Sequence, residues 1–291
     1  MRQARWRLLV PQARPEVTTV IVTRPAPEAQ AWVDAMTAQG IKALALPLID
    51  IRPAAHADAV RATLRQIAGT PEPQFQAVMF VSAAAVTHFL IANNAYPECQ
   101  NSLKSFQTSK CRAWATGQGT VRALLAAGVP EDQIDSPALS SLQWDSESLW
   151  AQVSPHLNDI HQVLIVRGAD AQGQLQGRDW LAKQLEAKGI AVQQVAAYER
   201  HLPVWTTEQH NTAVEAAQGG LWVFSASESI ANLQQLVSTK TTGMPDVSWN
   251  TARALTTHAR IAQSAKAAGF GVVYESLPGL VQVMASIKSL Q

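Results

Sequence analysis

Two arginines, two serines and one glycine-containing turn are the residues of this chain whose type and placing suit the binding of an anion. Arg24 and Arg167 each close a short apolar run, Val20-Ile21-Val22 in the first case and Val163-Leu164-Ile165-Val166 in the second. Arg167 leads into Gly168-Ala169-Asp170, which predicts a turn with exposed backbone N–H groups beside a helix start, a place that attracts carboxylates and phosphates. The plainer reading of either arginine is an ion pair with a nearby acid at a domain edge. Ser82 and Ser225 follow apolar runs and precede helix-like stretches, where a hydroxyl accepts from the N2 or N3 amide. Capping alone accounts for both; the ligand-binding alternative uses the free amides of the same turns, at Ala83, Ala226 and Ser227. The stretch Gly117-Gln118-Gly119-Thr120-Val121-Arg122 resembles a dinucleotide turn but puts Arg122 where the third glycine is needed for helix–strand packing. It is either an anion-binding turn or a tight structural one.

Other chemistries are disfavoured. There is no P-loop lysine pattern, no GxSxG and no HExxH, and the seven histidines are scattered without an acid at diagnostic spacing. Cys99 and Cys111 form no CxxC and have no histidine at zinc-ligand spacing, so neither a metal site nor a disulfide framework is expected, and a reducing cytoplasm suits them.

The elements that must carry these residues follow from hydrophobic patterning. The two runs above, with Val78-Met79-Phe80-Val81 and Leu221-Trp222-Val223-Phe224, are continuously apolar rather than alternating, the mark of parallel strands covered on both faces. Each precedes a helical stretch; Ala29, Trp32, Val33 and Met36 recur at i, i+3, i+4 and i+7, and Gly40 stands where a helix-ending glycine belongs. Asp145 or Ser146 reads as the N-cap of a later helix. The units recur in order: Arg24 to Arg167 and Ser82 to Ser225 are both 143 positions, and Gly128 and Gly269 end matching helices. So long a period is a duplicated domain, not a solenoid. Right-handed strand–helix–strand units send all the strand C-termini to one edge, where a binding face forms. Segments 47–53 and 197–203 each end in proline and read as extended crossings between two α/β domains.

At 291 residues the chain is long enough for two cores. With 47% hydrophobic residues, 15% charged and a net charge of +1, no global pull toward nucleic acid or membrane arises, so any attraction for an anion is local. Residues 1–16 hold four arginines around an apolar stretch too short for a signal peptide and are expected to be a loose arm. No run approaches the length of a membrane span.

The set TRP at 23–25, PLIDI at 47–51, FVSAAAV at 80–86, LIVRG at 164–168, the tyrosine of AAYER at 196–200 and FSAS at 224–227 resembles uroporphyrinogen-III synthases, in order and spacing more than in any one motif. The resemblance implies two similar α/β domains with parallel sheets flanked by helices, one from 17–50 and 203–291, the other from 54–197, joined by a two-stranded antiparallel connector at 47–53 and 197–203. It implies a cofactor-independent lyase that cyclises the acidic tetrapyrrole hydroxymethylbilane to uroporphyrinogen III with loss of water and inversion of ring D. Tyr198 matches the family's tyrosine and would give a hydrogen bond or proton to the leaving hydroxyl; a phenol is a weak acid, so its share should be modest. Thr120 stands where the family has a threonine. Ser82, Ala83, Arg24, Arg167, Gly168, Ala169, Ser225, Ala226 and Ser227 would hold the acetate and propionate groups. The second copy departs from pattern at Thr257-His258-Ala259-Arg260, so His258 or Arg260 contacts a carboxylate directly or that corner does not bind. A cytoplasmic monomer is expected, with transient contact to hydroxymethylbilane synthase as its one macromolecular partner. The rivals are a non-catalytic, two-lobed sensor for a small anion and a nucleotide-dependent transferase or reductase; the absent phosphate fingerprints argue against the latter.

Overall fold

The computed structural model describes residues 18–68, 74–94, 96–108, 111–138, 144–238 and 247–290. The expected arm at 1–16 lies outside them. The chain order is β1 (Val20–Val22), α1 (Ala26–Thr37), β2 (Ala43–Ala45), β3 (Asp50–Pro53), α2 (Ala57–Ile67), β4 (Ala77–Phe80), α3 (Ala83–Phe89), α4 (Pro97–Gln107), β5 (Arg112–Ala115), α5 (Gln118–Ala126), β6 (Ile134–Asp135), α6 (Ser146–Val153) and β7 (Gln162–Asp170). It continues with α7 (Trp180–Ala187), β8 (Ala191–His201), α8 (Thr207–Ala216), β9 (Leu221–Phe224), α9 (Ser227–Ser238), β10 (Arg253–Thr256), α10 (Ala259–Ala267), β11 (Val272–Glu275) and α11 (Leu280–Leu290).

The strands make two sheets. One is parallel throughout in the order β11-β10-β9-β1-β2; the other runs β3-β8-β7-β4-β5-β6 and is parallel except where β3 pairs antiparallel with β8. The continuous apolar runs have the predicted cause. In β4, Val78 and Phe80 enter one core and Ala77 and Met79 the opposite one, while in β9 Trp222 and Phe224 are separated in the same way from Leu221 and Val223. A period-2 strand with helices on both faces has no solvated side, so every position is apolar. The helix ends repeat too. Gly128 and Gly269 both take φ near +90°, and the next residue donates back into the helix, Val129 to Leu124 and Phe270 to Ala265. A Cβ disfavours that conformation, so glycine occupies both places. Asp145 caps α6, accepting from Ser148 N–H at 2.8 Å.

The connector is not a separate ribbon. β8 is eleven residues long; its length pairs parallel with β7, and its last residues, Tyr198 to His201, pair antiparallel with β3 on the other side. Asn232 of α9 donates to Leu48 C=O at 2.7 Å just before this crossing. The residues that leave one sheet are thereby fastened to both.

Candidate active site

Between the two sheets, at the C-terminal ends of their strands, lies a cleft of about 610 Å³. Its walls come from both: Arg24 and Ser225 follow β1 and β9, while Ser82 and Thr120 follow β4 and β5. Tyr198 and Arg200 enter from β8. Arg24, Arg122 and Arg200 face it against Glu28, so the cleft carries a local positive excess that the net charge of +1 conceals.

Tyr198 is 3% exposed. Its hydroxyl is 3.1 Å from Ser82 Oγ, and its ring lies over Gly168, where an added Cβ would come within 2.6 Å of ring carbons. Gly168 is thus the space the phenol occupies. On another side the His88 ring lies 5.9 Å away, and burial pushes its basicity below the usual range. Ser82 also accepts from Ala85 N–H at 3.1 Å, so the hydroxyl caps α3 and holds Tyr198 with the same oxygen. The cap expected of Ser82 is formed, and the same hydroxyl touches Tyr198.

Across the cleft, Arg24 bonds Glu28 at 2.7 Å and lies over Trp32 with its guanidinium carbon 4.6 Å from the ring centroid. This is the ion pair expected of it, formed on the cleft wall. Ser225 and Ala226 line the cavity before α9 begins at Ser227, whose Oγ is buried without a hydrogen-bond partner. Ala83 and Gly117-Gln118-Gly119-Thr120 line the opposite wall, with Thr120 buried.

Arg167, Gly168 and Ala169 correct the sequence-based expectation. No helix starts after Arg167: β7 runs on to Asp170 and α7 begins only at Trp180. The cause is the pairing with β8, which extends β7 through a bulge between Arg167 and Gly168 and places those residues in the ladder. Arg167 is 3% exposed, binds Asp179 and Gln194 at 2.6 Å and the Arg178 carbonyl at 3.3 Å, and is not among the residues that line the cleft. The ion pair with Asp179 is the plainer of the two arrangements expected of it. Ala169 is likewise buried, paired with Glu199. His258 is exposed, does not line the cleft, and caps α10 by accepting from Arg260 N–H at Nδ1, 3.1 Å away. Cys99 and Cys111 are buried and unpaired, and burial pushes their thiols up to about 11 and about 12, which removes them as nucleophiles.

Arg200 was missed by sequence reading although a signal for it existed. Residues two apart on a strand share a face, so a functional Tyr198 implicates Arg200. Arg200 Nε bonds Glu228 of α9 at 2.6 Å, an ion pair that runs from one sheet's strand to the other sheet's helix. Gln118 and Arg122 of the glycine-containing turn also line the cleft, as do Trp32 and Trp144, which nothing in the sequence marked for it.

A family model described as uroporphyrinogen-III synthase HemD matches residues 30–278. The fold is similar to that of the uroporphyrinogen-III synthetase of Helicobacter pylori, at 17% identity and TM-score 0.56, covering 94% of this chain and 100% of that one. It is similar also to a mutant uroporphyrinogen III synthase of the extremely thermophilic bacterium Thermus thermophilus, at 15% identity and TM-score 0.53 with the same coverage. The fold is that of the two-domain α/β class, with parallel sheets flanked by helices. The chain belongs to the uroporphyrinogen-III synthase family, the cyclising lyases of tetrapyrrole biosynthesis. No helix among the described residues is long and apolar enough to cross a membrane.

Proposed function

We propose that the cleft between the two sheets binds hydroxymethylbilane in a coiled conformation and that Tyr198 protonates its leaving hydroxyl. Loss of water yields an azafulvene, which is resonance-stabilised, and a pyrrole is already a good nucleophile, so the reaction asks for little covalent help. Unassisted closure joins the unrearranged end of the chain. Selectivity for the inverted ring D then comes from orientation and exclusion of water, tasks for shape rather than for a strong acid. The observation that carries this reading is Tyr198: a buried phenol, held by Ser82 and Gly168, at the floor of a cleft with three arginines on its walls.

In this reading Arg24, Thr120, Ser82, Ala83, Ser225, Ala226 and Ser227 meet the substrate's carboxylates, while Arg167, Ala169 and His258 do not. The two domains divide at the β3 and β8 crossing, near residues 50–53 and 198–201, which lets the walls move relative to each other. A cytoplasmic location is part of this reading, in keeping with two buried, unpaired cysteines. Incubation with freshly prepared hydroxymethylbilane, followed by oxidation and separation of the porphyrin isomers, tests the reading. Type III isomer well above the uncatalysed background is expected; type I alone would overturn it.

A further inference from the structure

We infer that Arg200 is the charge partner of Tyr198, a positioning residue that holds the tyrosinate formed when the phenol gives up its proton. This rests on the reading of Tyr198 as the acid. The two residues share one face of β8 and both line the cleft. Arg200 is anchored from across the cleft, with Nε and Nη2 on Glu228 Oε2 at 2.6 and 2.5 Å. That pair is too exposed on the glutamate side to add much stability, 41% for Glu228 against 22% for Arg200, so what it fixes is the direction of the guanidinium. A guanidinium has five donors in a plane, and two on Glu228 leave others for the phenol oxygen. Burial is the largest single influence on Arg200 and works against its charge; the bond and charge of Glu228 and the Tyr198 oxygen together outweigh it.

Ser82 Oγ, 3.1 Å from the phenol oxygen, accepts from Ala85 N–H, and either hydroxyl of the Ser82–Tyr198 pair can donate to the other; once Tyr198 has lost its proton, Ser82 is the donor. The Arg200 guanidinium and the Ser82 hydroxyl line the same cleft as the phenol oxygen, and each can donate to it once its proton has gone. The proton accounting closes without a further reagent. Tyr198 gives its proton to the substrate hydroxyl, the C–O bond breaks with its electron pair leaving in water, and the tyrosinate stays beside Arg200 while the cation reacts. Ring closure and rearomatisation expel one proton from ring carbon, which returns to the Tyr198 oxygen. Nothing is oxidised or reduced.

A double-substitution cycle on the full chain tests this, with kcat and KM measured on hydroxymethylbilane and thermal unfolding recorded for each variant. Arg200→Gln is expected to lower kcat about tenfold or more while KM moves less than about twofold, and in a Tyr198→Phe background to lower kcat by less than about twofold. Arg200→Lys should restore part of the loss. Effects that multiply independently, or a loss confined to KM, would overturn the inference and make Arg200 a substrate-carboxylate contact. A Tyr198→Phe variant with unchanged kcat would instead sink the reading of Tyr198 as the acid, a separate failure. If Arg200→Gln does not fold, Glu228→Gln loosens the guanidinium while leaving it in place. Its kcat loss should be smaller and should vanish in the Tyr198→Phe background; a loss that persists there contradicts the inference.

Discussion

Arg24 and Arg167 occupy the same place in the two copies of the repeat, 143 positions apart, and have parted company. Arg24 stands between β1 and α1, with Glu28 and Trp32 beside it on the cleft wall. Arg167 lies inside β7, under the loop that carries Gly177 and Asp179, and is neutralised there, away from the cleft. The difference comes from the length of the following ladder. β1 stops at Val22 and its helix begins at Ala26, whereas β7 continues alongside β8 for four more residues after Val166. The two copies share a scaffold, and the extra pairing that builds the crossing keeps Arg167 out of the cleft that Arg24 lines. The same asymmetry separates the two later corners, Thr120 buried in the cleft and His258 exposed away from it.

Substituting the twin arginines gives the largest contrast. Arg167→Met should cost about 2–4 kcal/mol, because it strips a buried cation from three hydrogen-bond partners. Arg24→Met should cost less than about 0.5 kcal/mol yet raise KM several-fold. Urea unfolding and steady-state kinetics read the two effects, and equal stability losses would break the distinction. Next come the two corners. Thr120→Ala should raise KM by an amount near 1 kcal/mol, roughly fivefold. His258→Ala should leave KM untouched and lower stability by about 0.5 kcal/mol through the lost cap.

The smallest effect is on pH dependence. Burial lowers the basicity of His88 in the folded state, so the unfolded chain binds a proton there first. Stability then falls as pH drops below the unfolded value, about 6.5, and levels off once pH has passed the lower folded value. His88→Gln should flatten that part of the thermal-unfolding profile; an unchanged slope between pH 7 and 5 would assign the effect elsewhere.

Much of this was legible in the sequence because the relevant signals are local. Continuously apolar runs announced strands buried on both faces, and the 143-residue interval announced the duplication. Ser82 was readable as a cap because capping depends on the next three residues. Gly168-Ala169-Asp170 misled for the opposite reason. Glycine and aspartate favour a turn by themselves, and only the distant β8 strand, with a bulge, holds them in a ladder. The interior fate of Arg167 depends in the same way on Asp179 and Gln194, which no spacing rule connects to it. Arg200 required the period-2 rule to be applied outward from Tyr198, a step that becomes compelling only once Glu228 is seen across the cleft.

The central claim is that shape selects the isomer and Tyr198 only hastens the departure of water. The most direct measurement is the isomer composition of the enzymatic product of Tyr198→Phe, followed to completion and corrected for uncatalysed closure. A turnover slowed by about tenfold to a hundredfold with type III still dominant is predicted. A product that shifts to type I in step with the lost rate would contradict it, since the tyrosine would then be choosing the ring end and not merely releasing the hydroxyl.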